Sequence, residues 1–61
     1  MKLIEYIKER KLVCEDTVMW VECAINDEKM EKYKPVLEGI RNDLHRLWDK
    51  YDYIYQEEKE K

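Results

Sequence analysis

Leu37, Ile40, Leu44, Leu47, Tyr51 and Ile54 recur at alternating intervals of three and four residues. That rhythm keeps one stripe of a helix apolar over about five turns, as a helix buried lengthwise against a neighbour requires. Upstream, Leu3, Ile4, Ile7, Cys14, Val18, Val21 and Ile25 fall within an arc of about 100° when the chain is wound at about 100° per residue. Phase is kept through this whole segment, which predicts one long helix over residues 2–32. A second helix is predicted over residues 35–58, followed by a charged tail, Glu57 to Lys61, that frays.

Pro35 sets the boundary between them. It disfavours helical geometry at Lys34, and its fixed φ suits the first turn of a new helix, so residues 33–35 are the predicted turn. Asn26 and Asp27 offer an earlier stopping point. A short turn makes the two helices antiparallel neighbours, an α-helical hairpin. The alternative partition breaks the first helix near residues 11–16, with Asp16 as the N-cap of an extra helix, and yields a three-helix bundle. Gly39, one turn into the second helix, costs about 1 kcal/mol relative to Ala.

The first helix carries more apolar surface than one partner helix can cover. Leu12, Met19, Cys23 and Met30 are spaced seven, four and seven apart, on a line about 140° around from the main stripe. Val13, Trp20 and Ala24 form a weaker third group. Exposed apolar surface of that extent marks an interface. The chain has 61 residues, and a domain of this size buries only about 60% of the surface its unfolded form exposes. A partner chain is one common remedy. The expected architecture is therefore all-α: two long helices in a hairpin, and a homodimer of hairpins making a four-helix bundle, with Leu12, Met19, Cys23 and Met30 at the dimer interface.

Composition narrows the role. With one Gly and one Pro the chain has little material for the turns that sheets need, while charged residues make up 44% and suit solvated helix faces. The net charge is −3 and the basic residues are dispersed, which argues against a dedicated nucleic-acid binder, since phosphate neutralisation needs clustered Lys and Arg. No apolar run approaches the ~20 residues of a membrane span, and Glu5 interrupts any secretory signal. A cytoplasmic protein without membrane association is expected.

Candidate chemistry is sparse. His45 is the only histidine; it faces away from the Leu44–Leu47 stripe, and Asp49 one turn on supplies at most a second metal ligand where zinc needs three or four. Cys14 and Cys23, nine residues apart on one helix, lie about 13 Å apart along its axis, too far for an internal disulfide. They read as small hydrophobes, with Cys23 placed to cross-link two copies on oxidation. The acidic residues lie along solvated faces with Lys three or four residues away, as in Glu5–Lys8 and Glu28–Lys32. No phosphate loop, nucleophile elbow or metal motif occurs. Neither catalysis nor a cofactor or metal is expected.

Trp48, Tyr51 and Tyr55 flank the stripe and are expected to close the core at one end, whereas Trp20 and Tyr53 point outward as candidate partner-binding aromatics. The expected function is that of a small non-enzymatic protein–protein interaction module, a regulator, adaptor or inhibitor that docks onto a larger protein. Its acidic surface suits a basic patch on that partner. Two alternatives are a dimeric RNA- or DNA-binding regulator, similar in size and helix periodicity alone to the plasmid copy-control RNA-binding hairpins, and a structural bundle subunit of a larger assembly.

Overall fold

The computed structural model describes residues 2–61. Two helices account for nearly all of them: α1, Leu3–Ile25, and α2, Lys34–Lys59, joined by a short 3-10 helix, Glu28–Tyr33. They pack side by side as a hairpin measuring 47 × 17 × 12 Å. The fold is all-α, and α1 runs unbroken through residues 11–16, so the three-helix partition is overturned. Apolar phase is carried straight through that stretch by Ile7, Cys14 and Val18, and Thr17 returns its hydroxyl to the Val13 carbonyl at 2.7 Å, a bond compatible with continued helix.

The connection differs from the expected one. α1 ends at Ile25, seven residues short of the expected boundary, and the turn at residues 33–35 is replaced by a longer link. Asn26 and Asp27 are the cause. Both compete for backbone hydrogen bonds in non-helical conformations, and Asp27 is extended, with its carboxylate accepting from the Lys29 backbone N–H at 3.0 Å to cap the 3-10 segment. Pro35 occupies the first turn of α2, the position for which its ring is suited. At the other end α2 continues to Lys59, past the point where fraying was expected; Lys61 reaches back to Glu58 at 3.1 Å.

The core of this hairpin is slight. Among the described residues Ile7 and Cys14 alone are buried, at 3% and 4% exposure. Ile4, Val18, Val21 and Ile25 line the same seam of α1 half-buried, as the apolar arc predicts, while Leu3 is exposed. On α2 the seam is turned from its expected setting. Leu37, Leu44 and Tyr51 face α1, but their companions there are Arg41, Trp48, Asp52 and Tyr55. Ile40, Leu47 and Ile54, assigned by periodicity to the buried stripe, remain 42%, 41% and 38% exposed. For a chain of 61 residues a compact fold has a radius of gyration of about 10.5 Å, against 14.2 Å here. The molecule is a single layer of two helices. None of them is long and apolar enough to cross a membrane.

Gly39 meets nothing: a methyl group added there finds no atom within 4 Å. No close approach requires glycine, and only its helix-propensity deficit remains. Gly39→Ala should therefore stabilise the fold by about 0.8–1 kcal/mol, read as a higher urea midpoint in far-UV circular dichroism. An unchanged or lower midpoint would contradict an unencumbered site.

Candidate interaction surface

The one strong polar contact between the helices organises both broad faces of the layer. Lys11 of α1 donates from Nζ to Asp52 Oδ1 of α2 at 2.7 Å, with its side chain only 17% exposed. The same ammonium lies 4.6 Å from the Trp48 ring centroid and 4.5 Å from that of Tyr55. An ammonium bracketed by two aromatic rings and a carboxylate gains from the ring quadrupoles as well as from the ion pair. Trp48, Asp52 and Tyr55 stand on successive turns of α2, so closing them around Lys11 fixes how α2 is rotated. That rotation turns Ile40, Leu47 and Ile54 away from the seam. Trp48 Nε1 is buried there without a hydrogen-bond partner, a penalty of about 1–3 kcal/mol.

Asp52 responds to this neighbour. The hydrogen bond from Lys11 is the chief cause that lowers its pKa below the ordinary value of 3.8, with the lysine charge adding to it, Gln56 contributing a further hydrogen bond, and desolvation opposing.

Around α1 the remaining apolar side chains are in the open. Leu12, Met19 and Cys23 lie exposed off the seam of α1; Met19 borders a hollow with His45 and Trp48 of α2, and Leu12 one with Trp48 and Tyr55. Met30 does not extend their line, because it belongs to the 3-10 segment and is half-buried; the helical spacing that grouped it with the others ends at Ile25. Trp20 is 76% exposed and Tyr53 68% exposed. The structure separates these two: Trp20 shares a shallow hollow with Asp16, Met19 and Cys23, whereas Tyr53 sits on the other helix.

His45 is exposed and lines a second hollow of about 380 Å³ with Cys14, Glu15, Val18, Met19 and Trp48. Cys14 and Cys23 are both free thiols, one buried and one exposed. Among the described residues no three His, Cys, Asp or Glu side chains are grouped to hold a metal ion. The ion pairs present are Lys11–Asp52, Asp43–Arg46 and Glu58–Lys61, and not the local pairs Glu5–Lys8 and Glu28–Lys32. The first of them was beyond sequence reasoning, because its partners are 41 residues apart and no local rule joins them.

No protein-family model matches this chain, and neither a curated protein nor a solved structure does.

A carboxyl whose pKa is depressed on folding adds stability that is present above its unfolded pKa. That stability is lost as pH falls through the folded value. Asp52 meets this condition. Thermal melts between about pH 6 and pH 2 should show Asp52→Asn less stable than wild type near neutrality, with the gap closing as acid protonates the wild-type carboxyl. A gap of constant size down to the lowest pH would contradict the assigned ion pair.

Proposed function

We propose that this protein is a small non-enzymatic interaction module that works as a homodimer of hairpins, a four-helix bundle, and docks a helical face onto a larger protein. The observation that carries this reading is the imbalance of burial: among the described residues two are buried, whereas twelve large hydrophobic side chains are exposed. A monomer rarely leaves contiguous apolar surface of such extent uncovered, and surfaces of this kind mark protein interfaces.

Two apolar regions divide the work. One lies across the broad face of the layer and suits a second copy better than the Leu12, Met19, Cys23 and Met30 line expected from the sequence, which Met30 does not join. The other is the outer side of α1, where Leu12, Met19, Trp20 and Cys23 are exposed, with Asp16 beside them. An aromatic anchor ringed by smaller apolar groups is the arrangement from which interfaces draw most of their binding energy. The net charge of −3 favours a partner with a basic patch, which raises the rate of encounter more than the final affinity.

Immobilised protein exposed to a lysate of its native host should retain a defined partner, identified by mass spectrometry. Met19→Glu and Trp20→Ala should each lose it while far-UV circular dichroism stays unchanged. At about 1 M salt, where the Debye length is about 3 Å, wild-type capture should fall. Retention by both variants would overturn the assignment to the outer side of α1, and capture insensitive to salt would remove the electrostatic component.

A further inference from the structure

From the geometry of the hairpin we infer that the second copy seats on one particular face, the zigzag of Tyr6, Val13 and Trp20 of α1 with Ile40, Leu47 and Ile54 of α2. It further assigns the two-fold axis to the direction of the helices, so that α1 of each copy lies on α2 of the other. This rests on the dimeric reading above and specifies it.

Winding each helix at about 100° per residue from its buried seam places the α2 triplet roughly 70–110° and the α1 triplet roughly 90–130° to the same side of the layer, with Trp20 the most outward. All six side chains are exposed. Both triplets step by seven residues, the repeat of a bundle seam. Lys11 stands level with Asp52, so Val13 falls between Leu47 and Ile54 in height, and Trp20 between Ile40 and Leu47. The six therefore alternate between helices and form one continuous strip about 25 Å long. The corresponding positions on the opposite face are Lys8, Glu15 and Glu22 of α1 with Glu38 and His45 of α2. The first face is the more continuously apolar of the two, because on the second the apolar side chains Val18, Met19 and Trp48 are rimmed by Glu15 and His45.

The area fits a second copy. A folded monomer of 7.6 kDa exposes about 4,300 Å², whereas this chain exposes 5152 Å². The excess over the whole surface, about 850 Å², is of the same order as the ~800 Å² that each partner buries in a standard stable interface.

Charge selects the arrangement. The outer rim of the strip carries Lys2, Glu9 and Asp16 on α1 and Asp43, Lys50 and Glu57 on α2. With the two-fold along the helices, Lys50 of the second copy falls between Glu9 and Asp16 in height, and its Glu57 falls within a turn of Lys2. With the two-fold across the helices and centred on Val13, Glu9 meets Asp16 of the other copy and Lys50 meets Lys50. Arg10 is half-buried beside the strip, with its guanidinium 5.9 Å from the Tyr6 centroid.

Sedimentation equilibrium should give twice the 7.6 kDa chain mass for wild type and for Met19→Glu, and the single mass for Leu47→Asp. Lys50→Glu should weaken the dimer at low salt, and adding Glu9→Lys with Asp16→Lys to the same chain should restore it. A cross-linking measurement guards against a variant that fails to fold. In a Cys14→Ser, Cys23→Ser background, mixed Val13→Cys and Leu47→Cys chains should form a disulfide between copies, and Val13→Cys alone should not pair with itself. Self-pairing of Val13→Cys would overturn the axis. A dimer broken by Met19→Glu and untouched by Leu47→Asp would overturn the face while leaving the module reading intact. A monomeric wild type would overturn both.

Discussion

The rotation of α2 against α1 is the constraint from which the rest of this structure follows, and the Lys11 cage sets it. An ammonium held at 2.7 Å from a carboxylate and within 5 Å of two ring centroids admits little freedom. Trp48, Asp52 and Tyr55 must all face α1 together. Once they do, the apolar stripe of α2 is split lengthwise: Leu37, Leu44 and Tyr51 stay in the seam, while Ile40, Leu47 and Ile54 turn onto one broad face of the layer. A polar cluster has thus decided which apolar residues remain available to another chain. The pair is only partly buried, so its consequence here is the orientation of α2 more than any large gain in stability.

A layer of two helices has a single internal seam, and each helix must find further cover for whatever apolar surface lies off that seam. α2 has one surplus line. α1 has two, with Tyr6, Val13 and Trp20 on the broad face and Leu12, Met19 and Cys23 on its outer side. A helix apolar on most of its circumference belongs inside a larger assembly. A dimer on the broad face would leave Leu12, Met19 and Cys23 for a different protein, with Trp20 at the border the two surfaces share.

Much of this was legible in the chain. Period and phase identified two helices, the continuity of the first, the role of Pro35, and the exposure of Leu12, Met19, Cys23, Trp20 and Tyr53. Two features were not legible and a third only in part. Asn26 and Asp27 marked an early stop for α1, but their prevailing over the apolar phase of Met30 depends on the Asp27 carboxylate capping the next segment. The setting of α2 depends on Lys11 meeting Asp52 across 41 residues, and periodicity locates the centre of a stripe without saying toward which edge a neighbour will lean. The broad apolar face combines the two helices, so it appears only when register is known. Tyr6 in particular carried no signal as an interface residue until α2 was placed beside it.

The account holds that a lone hairpin is under-buried and gains its stability from a second copy, which makes unfolding and dissociation one event. The most direct test is the melting temperature as a function of protein concentration. It should rise steadily over a hundredfold increase in concentration, because mass action favours the associated folded state. A cooperative transition at one fixed temperature across that range would contradict the claim, since it would mean that the two helices are sufficient for each other.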